Sequence, residues 1–176
     1  MEELNMLPTF MASCYSSEVR FWTCMVIQNI FLVKIKQEKD ILNAEWLDAI
    51  YKNIYEIGYD KNVSLQAART FLVALKGTKT TMQFITDNQY ETPLLYAFES
   101  LAFDHCTNDE HTYDLPYILL ESLERLVYFY QDEQLNERKN GIVYWVAEVL
   151  KTIHPIEDSR IRAIAQRFYC WNRIEI

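Results

Sequence analysis

The chain has 176 residues, half of them apolar and 14% aromatic, and a formal charge of −8. That apolar content can bury a core and excludes a disordered chain, while the acidic balance works against a nucleic-acid surface, which needs a patch of Lys and Arg. With only three glycines and four prolines the chain has too little turn chemistry for a many-stranded sheet protein, so helices are expected throughout one domain spanning residues 1–176.

In chain order, LPTFMASC predicts a helical turn or two after Pro8. Ser16 or Ser17 then caps a helix, SSEVRFWTCMVIQNIFLV, whose apolar residues cover most of the circumference and predict a buried element. Its longest apolar run, Met25 to Val33, is about half of a bilayer span and holds Gln28 and Asn29, so no membrane segment is expected. No basic region followed by an apolar block opens the chain, so no secretion signal is expected either. Lys34, Lys36 and Lys39, interrupted by Glu38 and Asp40, read as a solvated loop.

EWLDAIYKNIYEIG follows, an amphipathic helix with Trp46, Leu47, Ile50, Ile54 and Ile57 on one face and Gly58 as its stop. The stretch NVSLQAARTFLVALK, 62–76, organises the chain. Val63, Ala67, Phe71 and Ala74 form one apolar row and Leu65, Ala68, Leu72 and Leu75 a second, leaving Asn62, Gln66, Arg69 and Val73 as a narrow open strip. Asn62 reads as the N-cap and Gly77 as the terminator. TTMQFITDN is a short helix, Thr92-Pro93 starts PLLYAFESLAF, and residues 104–114 form a long polar loop. LPYILLESLERLVYFY is a second apolar helix, QDEQLNERKN a polar connector, and Gly141 opens GIVYWVAEVLKTI. Asp158 or Ser159 caps the last helix, RIRAIAQRFYCW.

Cys14, Cys24, Cys106 and Cys170 show no C-x-x-C pair, and Cys14, Cys24 and Cys170 sit among apolar residues as small hydrophobes. A reducing intracellular compartment, cytoplasmic or nuclear, is the expected home. His105, Cys106 and His111, with Asp104, Asp109 and Glu110, are the one candidate metal cluster. Their spacing matches no zinc frame, and a solvated loop collects such residues, so neither a metal nor any cofactor is expected. There is no glycine-rich turn for an oxyanion hole and no phosphate-cradling loop, so no enzyme activity is expected; a small metal-dependent helical hydrolase would rest on that loop alone.

The apolar helices begin at Val19, Val63, Leu115 and Ile161, at offsets of 44, 52 and 46 residues, with the 104–114 loop lengthening the middle interval. The unit from Glu45 to Asn88 resembles an armadillo repeat: EWLDAIYKNIYEI is similar to the family's second helix, DKNVSLQAARTFLVALKG to its third, and TTMQFITDN to the first helix of the next repeat. SSEVRFWTCMVIQNI resembles another third helix, with Asn29 where the family usually carries a groove asparagine and Met25 where it often carries tryptophan.

The resemblance implies an all-α, right-handed armadillo-like superhelix of about four helical repeat units, whose third helices form a concave ladder for a protein or peptide partner. Carried forward by the offsets, the ladder positions are Met25 and Asn29, Arg69 and Val73, Glu121 and Arg125, and Arg167 and Trp171. The asparagine occurs once only, so the charged members imply side-chain recognition of a helix or an acidic segment. A compact bundle with a helix-binding groove, as in apoptosis regulators, is the alternative, but it would need one central buried helix where this chain shows at least three. Phe168, Tyr169, Trp171, Ile174 and Ile176 keep the end apolar, which predicts self-association, a docked partner or a piece of a longer protein.

Overall fold

In the computed structural model, which describes residues 6–39, 43–55, 60–102, 113–153 and 156–173, every regular element is a helix and no strand occurs among the described residues. The elements are α1 (Leu7–Phe10), α2 (Ser17–Lys36), α3 (Ala44–Tyr55), α4 (Lys61–Ala74), α5 (Lys79–Asp87), α6 (Glu91–Ala102), α7 (Asp114–Asp132), α8 (Asn136–Thr152) and α9 (Ser159–Arg173). They fall into two compact units, Met1–Gln89 and Tyr90–Ile176.

Short polar side chains set several of the helix starts, because the first backbone N–H groups of a helix have no partner within it. Ser16 accepts from the N–H of Val19 at 3.3 Å to open α2. Asp60, not Asn62, opens α4, accepting from the N–H groups of Asn62 and Val63 at 3.0 and 3.1 Å. A carboxylate is a stronger acceptor than an amide oxygen, and the helix begins two residues earlier than the asparagine suggested. Thr78 caps α5, and Asp158 caps α9 through the N–H groups of Arg160 and Ile161.

In the first unit α4 packs against α2 on one side and α3 on the other. Both of its apolar rows lie against these neighbours, and Val63, Ala67, Ala68, Phe71, Leu72, Ala74 and Leu75 are buried. The open strip differs from the expected one. Asn62 and Arg69 are exposed, but Gln66 and Val73 are buried. Gln66 turns to α2, where its side-chain amide donates to that of Gln28, and Thr70 donates to the carbonyl of Cys24 at 3.3 Å. Polar pairing at the α2–α4 contact turns Gln66 inward. From α3, Trp46, Leu47, Ile50 and Ile54 are buried, with Trp46 stacked on Phe31 at 6.0 Å between ring centres. Ile57 and Gly58 lie outside the described residues.

Two expectations for α2 are overturned. The helix continues through Lys34 to Lys36, so two of the three lysines belong to its last turn, where the negative end of the helix dipole favours them, and not to a loop. Nor is the helix buried all round: Arg20, Thr23, Cys24, Ile27 and Phe31 face the core, while Val19, Trp22, Val26, Leu32 and Val33 are exposed. Nothing among the described residues packs on that outer arc closely enough to bury it.

In the second unit α6 and α7 form one helical hairpin and α8 and α9 another, with α7 and α9 side by side. Glu91 meets Arg138, and Tyr96 meets Trp145 edge-on at 5.4 Å, so α6 and α8 run in the same direction. Asp114 meets Arg160, Glu124 meets Arg167, and Tyr128 meets Trp171, so α7 and α9 do as well. The helix starting at Glu91 places Thr92 and Pro93 in its first turn. The expected connector 131–140 is almost absent, because α7 extends to Asp132 and α8 begins at Asn136. The chain reverses through Gln134, whose φ of 59° is left-handed. Gly141 consequently sits inside α8 and does not open it.

Candidate partner-binding rows

The eight ladder positions divide four and four between the units. In the first, Met25 is half-buried and Asn29 exposed on α2, one turn apart, and Arg69 is exposed on α4. Val73 is buried and contributes to the core. The N-terminal ends of α2 and α4 together line a cavity of about 400 Å³, with Ser17, Glu18, Phe21, Trp22, Asp60 and Val63 among its walls, so the two helices run in the same direction.

In the second unit the charges of these positions are partly spent within the fold. Arg125 donates to Glu121 one turn earlier at 3.4 Å. Arg167 donates through Nη2 to Oε2 of Glu124 at 2.9 Å and through Nε to Oε1, and Glu124 is itself buried. That pairing raises the pKa of Arg167, with the hydrogen bond to Glu124 as the main cause. Trp171 packs edge-on against Tyr128 at 5.3 Å and Phe168 at 5.2 Å. Phe168 is fully buried, so the apolar end of the chain is largely packed within its own unit as far as the described residues reach. Ile174 and Ile176 lie outside them.

Three features escaped the sequence reading. The first is the exposed arc of α2, whose signal is three valines spaced seven apart. The second is Glu124, the partner of Arg167, legible only as an acid 43 residues earlier. The third is a buried polar junction in which Arg20 donates to Oδ1 of Asn53 at 3.1 Å, while Asn53 Nδ2 donates to the carbonyls of Met11 and Ala49, both at 2.9 Å. Neither partner's sequence context announces the other.

Among the described residues no group of three or more His, Cys, Asp or Glu side chains could hold a metal ion. His105, Cys106 and His111 lie outside them. Cys24 is fully buried, and burial pushes its thiol up to about 12 against the opposing charge of Arg20, which makes it a poor nucleophile. Cys14 and Cys170 are exposed, contrary to their reading as core hydrophobes: Cys14 lies in the turn before α2 and Cys170 on the outer side of α9.

These elements define an all-α, multi-helix protein, and among the described residues no helix is long and apolar enough to cross a membrane. No protein-family model, curated protein or solved structure matches the chain.

Proposed function

We propose that each unit is a section of an armadillo-like helical stack, and that the chain is a non-enzymatic scaffold or adaptor whose inner helices bind a protein or peptide partner. One observation carries the reading: α7 and α9 lie parallel with contacts 43 and 46 residues apart, close to the repeat interval of the sequence, so equivalent positions on successive hairpins stand side by side. Stacked hairpins of this kind offer rows of side chains to an extended or helical segment. Met25 and Arg69 form the accessible part of the row in the first unit. In the second, Glu121, Arg125 and the rim of Trp171 serve, while Arg167 holds the row together through Glu124. Three free cysteines among the described residues agree with an intracellular setting, cytoplasmic or nuclear.

Selecting a displayed peptide library against the purified chain tests this. Enriched peptides should bind at least about tenfold more weakly to Arg69→Glu or Glu121→Lys, since rim charges set orientation and partner choice. Unchanged affinity for every enriched peptide in both variants would remove the proposal.

A further inference from the structure

The outer arc of α2 carries apolar side chains that the fold leaves exposed. Val19, Trp22, Val26, Leu32 and Val33 are all exposed, Trp22 by 57% and Val33 by 53%. Lone exposed apolar residues are ordinary, but a continuous strip of them along one helix marks an interaction surface. Residues 19, 22, 26, 29 and 33 alternate at spacings of three and four, the pattern of a helix seam that packs against another helix, with valine at each seven-residue step and Asn29 the one polar member.

We infer that this face pairs with the same face of a second copy of the chain, antiparallel about a two-fold axis near Val26. The inference rests on reading the chain as an interaction module and names the occupant of one of its faces. Two properties of the strip select that occupant. The valines are placed symmetrically about Val26, so an antiparallel copy sets Val19 near the partner's Val33 and Val26 against itself, and the valine row matches itself, as an isologous interface requires. Charge selects the direction. Glu18 stands at the N-terminal end of the strip and Lys34 and Lys36 at the C-terminal end. Antiparallel pairing brings Glu18 to the lysines at both ends, whereas parallel pairing sets like charges together and aligns the helix dipoles. The size is adequate: the helix has 20 residues and so is about 30 Å long, and closing its outer face on an equal face removes on the order of 1,000 Å² in total, the lower range of specific interfaces.

Sedimentation equilibrium over a range of concentrations, with cysteine cross-linking, tests the inference. The wild-type chain should form a reversible dimer, and Val26→Lys should weaken it at least tenfold. Val26 is 44% exposed in the single chain, so the lysine can reach water and circular dichroism should remain unchanged; Val33→Glu is the second variant, expected to act alike. In a chain with Cys14, Cys106 and Cys170 replaced by Ser, a short bismaleimide should link two Val26→Cys copies. It should also link Val19→Cys to Val33→Cys, but not Val19→Cys to itself, because those two positions lie about 20 Å apart in the antiparallel pair. A strict monomer, a dimer indifferent to both charge insertions, or efficient self-linking at position 19 would each overturn it. Peptide binding through Arg69 and Glu121 is read separately, so failure of the dimer leaves that result standing on its own.

Discussion

The guanidinium of Arg167 on α9 is held in a two-pronged pair by the carboxylate of Glu124 on α7, 43 residues earlier in the chain. This contact fixes the register of two parallel helices and removes one cation from the candidate row. Arg167→Ala leaves the buried carboxylate without its partner and should cost about 2 kcal/mol, less than a wholly buried pair because the arginine side chain is 44% exposed. Urea denaturation of both single variants and the double variant gives the coupling. A double variant no more stable than the sum of the single losses would show the pair to be energetically idle.

The Arg20–Asn53 junction ties α2, α3 and the segment after α1 through hydrogen bonds buried from water. Asn53→Leu keeps roughly the same volume but removes one acceptor of the guanidinium, which retains Ser17, and leaves the Met11 carbonyl without its side-chain donor, so a loss of about 1–3 kcal/mol in unfolding free energy is expected. A chemical-denaturation midpoint unchanged from wild type would contradict it.

Gly141 sits within α8, and a Cβ added there would meet nothing within 4 Å. Gly141→Ala should therefore stabilise the protein by about 0.5–1 kcal/mol through helix propensity alone. The thermal midpoint reports the sign directly, and a decrease would mean that the position carries a constraint beyond helix formation.

Asp60 and Asp158 cap α4 and α9, and both carboxyls titrate below their ordinary range. Burial pulls Asp60 upward, but hydrogen bonds from Val63, Ser17 and Asn62 and the charge of Arg20 outweigh it. For Asp158 the hydrogen bond from Arg160 dominates. Because the folded values lie below the unfolded ones, the stabilisation is complete above about pH 4 and is lost as pH falls through the folded values. In the pair Asp60→Asn and Asp158→Asn, which keeps capping but not titration, the melting temperature should fall less steeply on acidification than in wild type.

Alkylation should separate the cysteines. At pH 8 iodoacetamide should modify exposed Cys14 and Cys170 and leave Cys24 untouched, since burial holds its thiol near 12 and excludes the reagent. Peptide mass mapping, before and after unfolding, reads the pattern. Rapid labelling of Cys24 in the folded chain would show that α2 opens readily.

The helical class, the two-sided burial of α4 and the buried face of α3 could be read from residue spacing, because helical periodicity is local and a row of apolar residues is visible without knowing what covers it. Contacts between parallel helices such as Cys24–Thr70 and Asp114–Arg160, each 46 residues apart, are tertiary facts that spacing alone did not establish. What spacing could not supply was which side of a uniformly apolar helix meets a neighbour. In α2 nearly every direction is apolar, so the sequence carries no preference, and only packing against α4 and α3 leaves Trp22 and the three valines outside. The same holds for charge. Arg167 looked along the chain like the other candidate charges, yet tertiary contact with Glu124, 43 residues earlier, makes it a strut, since whether an ion is answered from within depends on a residue far away in sequence. The helix ends followed a similar rule: Asp60 displaced Asn62 because capping is decided by whichever acceptor the preceding turn brings over the free N–H groups.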